Sequence, residues 1–339
     1  MKLLARRNLL AASAASVMLA AVSAAPAKAE VDVVNLSQQF GLLYVPLHVV
    51  LEHKLIEKNA KALGLTPPEI KLFKISGAAN NTKALLSKTV DFASIGIGGV
   101  IKLWAKSDGA FKVARGIADM PLKLITNDPK IQKIEDYLTI EDHKIATPAA
   151  KVSVQAVVLQ IYTEKLWGDP VKLDHLVVSM KHPTAYAAIV SGGQSVKSHF
   201  ATLPYSYQEL QSGKARTIVT SYDIMGGQHS VLLMMAGQEF KDKNPKTYRA
   251  VTAAFDEALT WVNANPLEAA ELYIKYTKTK LDPELVKAML TDRNEVAFDA
   301  TPKHTMVFAN FLHKIGDLPK KPNSWKDFYF EDNHDLNGS

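Results

Sequence analysis

Short runs rich in β-branched residues alternate with stretches whose apolar positions recur every three or four residues. The first pattern predicts strands and the second amphipathic helices. Strands are expected at 31–36, 69–75, 91–95, 112–117 and 122–126. Helices are expected at 44–63, 80–87 and 98–106, the first carrying Leu47, Val50, Leu51, Leu55 and Ile56 at helical spacing. The alternation resumes with strands at 144–146, 173–178, 196–201, 217–220 and 230–236. Helices at 152–167, 184–191 and 205–211 lie between them. This order predicts an α/β protein with mostly parallel sheets.

The last hundred residues read as almost all helix. Asn244-Pro245, Asn265-Pro266, Asp282-Pro283 and Thr301-Pro302 each place a capping residue before a proline suited to the first helical position. Tyr248, Val251, Phe255, Leu259 and Val262 fall on one face of the helix after Asn244, which therefore covers other structure. Trp325, Phe328, Tyr329 and Phe330 are expected to pack onto the body. No Gly/Ser-rich or Pro-rich linker divides the chain. Two lobes, if present, must be joined by structured segments, and the apolar stretches 122–126 and 230–236 are the candidates. Two crossings give a discontinuous first lobe, 30–121 plus 234–339, and a second lobe, 122–233. A ligand cleft would lie between them.

Charge and composition narrow the class. The formal charge is +6 over 339 residues. The first 29 residues hold Lys2, Arg6, Arg7 and Lys28 with no acid, an apolar run, and Ala27-Lys28-Ala29 as a small-x-small site. That is a cleavable secretory signal peptide. Arg6-Arg7 leaves the twin-arginine and general export routes both open. Removing these four cations takes +6 to +2, so nucleic acid is not an expected partner. The chain has no cysteine. This excludes disulfides, thiolate metal sites, a cysteine nucleophile and a lipid anchor on an N-terminal Cys.

Candidate chemistry gathers in loops between strands and helices. Gln38, Gln39 and Phe40 follow the first strand. Ser76, Gly77 and Asn80 sit in a small-residue loop where either a ligand or a helix cap fits Asn80 and Asn81. Gly96-Ile97-Gly98-Gly99-Val100-Ile101 imitates a dinucleotide fingerprint, but Ile101 replaces the third glycine, leaving a tight turn with exposed N–H groups as the better reading. Lys151, Val152 and Ser153 form a third such loop. A lysine in a first helical turn opposes the helix dipole; an anion beside Lys151 would account for it, and a solvated surface lysine is the alternative. Thr202 and Tyr205 follow the strand 196–201. Gly226-Gly227 reads as a turn near the second crossing. His48 and His53 cannot share a helix face, and most of the other histidines read as surface groups. No metal site or cofactor is expected. His-Glu-x-x-His, Gly-x-Ser-x-Gly and the Gly-rich phosphate loop are absent.

Gly77-Ala78-Ala79-Asn80-Asn81-Thr82, Asp91-Phe92-Ala93-Ser94-Ile95-Gly96, Lys144-Ile145-Ala146-Thr147-Pro148 and residues 263–270 with their exported N-terminus resemble the nitrate/sulfonate/taurine class of periplasmic solute-binding proteins. Binders of thiamine pyrimidine precursors belong to the same superfamily. The resemblance implies a two-lobe periplasmic binding protein fold, type II-like, with two crossing strands at a hinge and a helical C-terminal third. It implies that the lobes close on a small polar or anionic solute and present it to a membrane ABC permease with its ATPase. The family's site loops correspond to Gln38–Phe40, Ser76–Asn80, Ile97 and Gly98, Lys151–Ser153, and Thr202–Tyr205. The four tryptophans fall outside these loops, which weakens a sulfonate assignment. Further expectations are a monomer in the periplasm without a lipid anchor, and no enzymatic activity. The alternatives are a ligand receptor for a membrane sensor and a thiamine-pyrimidine-synthase-like enzyme. That enzyme group carries a cysteine-rich iron motif that this chain lacks.

Overall fold

Two mixed sheets organise the chain. The computed structural model describes residues 30–140, 142–193 and 195–339, and the expected signal peptide, 1–29, lies outside them. Among the described residues ten strands form: β1 Val33–Gln38, β2 Glu69–Lys74, β3 Phe92–Gly96, β4 Phe111–Asp119, β5 Lys123–Thr126, β6 Lys144–Thr147, β7 Val177–Ser179, β8 Val196–Ala201, β9 Arg216–Thr220 and β10 Ser230–Gly237. One sheet runs β2-β1-β3-β10-β4 and the other β7-β6-β8-β5-β9. Residues 31–339 form one compact unit.

The expected predominance of parallel pairing is corrected. β1 pairs parallel with β2 and β3, and β6 with β7 and β8. β10 is antiparallel to both β3 and β4, and β5 to both β8 and β9. β5 and β10 are the first strands after each change of sheet. Each enters its new sheet from the edge facing the other one, opposite to the βα-connected strands, and so pairs antiparallel on both sides.

The changes of sheet themselves are short. Met120, Pro121 and Leu122 separate β4 from β5, while the helix Ser221–Met225 and residues 226–229 connect β9 to β10. Both β5 and β10 lie wholly within one sheet, so a boundary at 233/234 falls inside β10 rather than at the change of sheet.

Most helices form where the periodicity placed them. The stretch 44–63 divides into Val45–Glu52 and Leu55–Ala62, because Lys54 takes a left-handed φ of 50°. Pro245–Ala264, Pro266–Thr277 and Pro283–Thr291 begin at the expected prolines. Only Asp282 of the three preceding residues caps through its side chain, accepting from the Glu284 N–H at 2.8 Å. Asn244 and Asn265 instead donate back to Phe240 and Trp261 carbonyls, tying each helix to the one before it. Thr301-Pro302 starts no helix, since the next one is Thr305–Lys314. Trp325, Phe328, Tyr329 and Phe330 are buried, and the Phe330 N–H donates to the Val113 carbonyl beside β4.

Candidate functional site

The C-terminal edges of the parallel strands of both sheets meet at one cavity of about 60 Å³. Gln39 and Phe40 follow β1, Gly96 ends β3, Pro148 follows β6, and Thr202 follows β8. Val231 and Leu232 come from the start of β10, which runs antiparallel and so begins at the same edge. Ligands of open α/β sheets sit at this edge, because the connecting helices begin there.

Four helix N-termini converge on the cavity. Ala78 opens the helix Ala78–Leu86, and Gly96 caps Ile97–Lys106. Ser153, Val154 and Gln155 begin Val154–Trp167, and His182 begins His182–Ser191. Ser153 Oγ accepts from the Ala156 N–H at 3.2 Å. The N–H groups of Val154 and Gln155 have no intrahelical acceptor at this position. Each N-terminus carries roughly half a positive charge from its aligned peptide dipoles. Among the described residues the lining has no carboxylate and no lysine or arginine. Its polar groups are Gln39, Tyr44, Ser153, Gln155, His182 and Thr202. Thr202 is 5% exposed, and its Oγ1 has no hydrogen-bond partner.

A second cavity of about 290 Å³ shares Gln39 and Phe40 with the first. Tyr205, Tyr273, Tyr276, Gln38, Gln208 and Lys74 line it. Phe40, 40% exposed, thus lines both the small cavity and the larger, aromatic one.

The walls are held rigidly. Gln39 Oε1 accepts from the Gly77 N–H at 2.8 Å, and its Nε2 donates to the Ser94 carbonyl at 3.2 Å. Gln38 Nε2 meets His48 Nε2 at 2.8 Å, and burial pushes the His48 imidazole down to about 3, so the ring is neutral and accepts. Segments that follow strands of the two sheets also bond directly to each other. The Leu42 N–H donates to the Leu203 carbonyl at 2.9 Å, and Lys102 Nζ donates to the Lys151 carbonyl at 2.6 Å.

The sequence candidates divide into three groups. Gln39, Phe40, Ser153 and Thr202 line the small cavity, and Gln38 and Tyr205 the larger one. Ser76, Gly77, Asn80, Ile97, Gly98, Lys151 and Val152 line neither. Asn80 donates to the Ser76 carbonyl, and Gly77 rather than either asparagine occupies the N-cap. Gly98 serves packing between helices. Lys151 is exposed and precedes the cap Ser153 by two residues, outside the first helical turn.

Tyr44, Gln155 and His182 were missed. The expectation that most of the other histidines lie at the surface is corrected, since four of those eight, His143, His182, His199 and His229, are buried, as is His48. His182-Pro183 after a strand has the form of the helix starts recognised further along, and that signal places His182 at a helix N-terminus. Among the described residues no group of three or more His, Asp and Glu could hold a metal.

Sequence comparison is silent: no family model matches the chain, and no curated protein matches it. Structural comparison is not. The alkanesulfonate-binding protein SsuA of Xanthomonas axonopodis pv. citri, bound to MOPS, aligns over 86% of this chain and 96% of its own, with a TM-score of 0.67 and 14% identity. The periplasmic nitrate-binding protein NrtA of Synechocystis PCC 6803 aligns over 88% and 84%, at 0.67 and 16% identity. The Candida albicans CA3427 product, described as having the generic periplasmic binding protein fold, aligns over 86% and 92%, at 0.64 and 16% identity. With two mixed sheets whose strand edges and helix N-termini face one cavity, this chain has the periplasmic binding protein fold and is similar in structure to sulfonate- and nitrate-binding proteins.

Proposed function

We propose that this chain is the exported, periplasmic binding component of an ABC importer. It captures a small polar or anionic organic solute between two lobes, one built on each sheet. The observation that carries this reading is the convergence of four helix N-termini on a cavity lined by no carboxylate. Such a site favours negative charge without a fixed cation. The structural neighbours that bind alkanesulfonate and nitrate support an anionic ligand class. The aromatic second cavity supports a solute with an organic body beyond its polar head.

Binding by closure follows from the two-sided lining. A solute touching both lobes is fully held only when they meet, so it shifts the equilibrium toward the closed form. The closed form is then what the permease recognises. Small-angle scattering with a thermal-shift panel of nitrate, sulfonates, carboxylates, aromatic acids and pyrimidines tests this. The true ligand at 100 times its Kd adds about 2.7 kcal/mol of stability and compacts the protein. No compaction with any member of the panel, or turnover of a bound solute, overturns the reading.

A further inference from the structure

Behind His182 lies a buried chain of three titratable side chains. His182 Nδ1 meets His199 Nε2 at 2.7 Å, and His199 Nδ1 meets Glu209 Oε1 at 2.5 Å. His199 and Glu209 are fully buried, and Glu209 Oε2 has no partner. At the other end His182 lines the small cavity, with Nε2 at 3.4 Å from Gln155 Nε2, a side chain that also lines it. The titratable groups facing His182 are His199 and Tyr205, whose ring stacks on it at 5.8 Å. Among the described residues of the cavity lining Tyr44 is the other titratable group, so His182 is the one of them whose side chain can become a cation.

The resting arrangement follows from burial, which pushes the Glu209 carboxyl up to about 9 and His199 down to about 3, and holds His182 well below its ordinary value. Two neutral proton orders fit these distances, and they differ in which way the Gln155 amide faces. In the relay order Glu209 O–H donates to His199 Nδ1, His199 Nε2–H donates to His182 Nδ1, and His182 keeps its own proton on Nε2, at the cavity end, where the Gln155 amide turns its Oε1 to accept it.

We propose that Glu209, His199 and His182 form an internal proton relay that makes His182 the anion-binding group of the cavity. This rests on the reading of that cavity as the ligand site, and it names the ligand as an oxyanion or organic acid anion. When the anion arrives, the Glu209 proton moves to His199 Nδ1 and the His199 Nε2 proton moves to His182 Nδ1. His182 becomes an imidazolium donating from Nε2 to the ligand, and Glu209 a carboxylate held by His199 Nδ1–H. The charge of the three groups together is unchanged, so no proton is taken from solvent. Glu209 and His199 are positioning residues, because neither touches the ligand.

The test is calorimetric titration of the wild type and Glu209→Gln with nitrate, methanesulfonate and benzoate, with neutral benzamide as a control, in two buffers of different ionisation heat. The wild type is expected to bind an anion in preference to benzamide without proton uptake, and with a flat affinity from about pH 6.5 to 8. The variant cannot supply the proton. Its anion affinity is expected to fall about tenfold at the alkaline end and to recover toward acid with uptake of about one proton. Nitrogen-15 NMR of the wild-type imidazoles keeps the proposal testable if the variant does not fold. There, anion addition converts His182 from a neutral ring to an imidazolium. A bound anion with His182 still neutral, or a folded variant with wild-type affinity and pH profile, overturns the relay alone. Preference for benzamide overturns the relay and leaves solute binding intact. No binding and no closure with any solute overturns both.

Discussion

Gly98 and Val157 belong to helices on different sheets, and a β-carbon on Gly98 would stand 2.9 Å from Val157 Cγ2. It would also lie 3.3 Å from the Val152 carbonyl oxygen. The glycine therefore lets Ile97–Lys106 and Val154–Trp167 come into direct contact beside the cavity. Gly98→Val cannot keep this separation, because a branched side chain has no room against another branched side chain. The variant is expected to keep its helical circular dichroism while its radius of gyration stays large on ligand addition. Ligand affinity should fall by about tenfold or more. Wild-type compaction measured by scattering would contradict this.

Thr202 Oγ1 is buried at the cavity with nothing to bond to in the protein. An unmade hydrogen bond in a buried position costs about 1–3 kcal/mol, so Thr202→Val, which conserves shape, leaves stability unchanged or raises it. A charged ligand that bonds this hydroxyl loses about 1.5–3 kcal/mol of binding in the variant. Urea unfolding and calorimetric titration on the same preparations separate the two effects. Lower stability together with unchanged affinity would remove Thr202 from the site.

Lys151 holds φ at 69° with its side chain in solvent. A left-handed conformation costs a β-substituted residue about 1–2 kcal/mol, and glycine gives part of that back in unfolded-state entropy. Lys151→Gly is expected to change stability by no more than about 1 kcal/mol, in the stabilising direction. Its anion affinity should match the wild type, since the side chain lines neither cavity. Weaker anion binding by this variant would return Lys151 to the site.

Asp119 ends β4 at the change of sheet, and Lys303 Nζ donates to its Oδ2 at 2.6 Å. Burial nevertheless pushes its carboxyl from 3.8 up to about 7. A carboxyl raised in the folded state contributes stability that is full below about pH 3.8 and is lost as pH rises through about 7. Asp119→Asn cannot ionise, and Lys303 keeps Asp299 as an ion-pair partner at 2.9 Å. The stability of the variant relative to wild type should therefore rise between about pH 4 and 7. Urea unfolding across that range measures it, and a constant difference would remove the argument.

The local pattern carried far into the fold. Alternating strand and helix periods located the strands and most of the longer helices, because each must bury one face and the period of that face is written in the chain, whereas the short helices Ser221–Met225 and Gln238–Lys243 were not expected. Proline after Asn or Asp marked three of the C-terminal helices for an equally local reason. Strand direction was not legible in the same way. β5 and β10 carry apolar runs that suit parallel and antiparallel neighbours alike.

The lining of the candidate cavities was legible only in part. Gln39, Phe40, Ser153 and Thr202 could be found because they follow strands, where the helix-starting edge of a sheet collects ligands. Lys151 looked apt because charge is visible in a sequence, whereas direction is not. Two residues of difference in the helix start carried it out of the first turn and into solvent. His182, His199 and Glu209 lie in three separate elements, and only packing brings their ring nitrogens and carboxyl within bonding distance.

By itself the sequence determined the α/β class, the helical C-terminal third, the loops from which a site would be built and the absence of thiol chemistry. Tertiary structure alone decided which loops face one cavity, which glycine lets two helices touch, and which histidine is backed by a buried acid. The physical reason is one of range. Periodicity and capping act over a few residues, while burial, dipole convergence and proton order depend on groups that meet only after both sheets have formed.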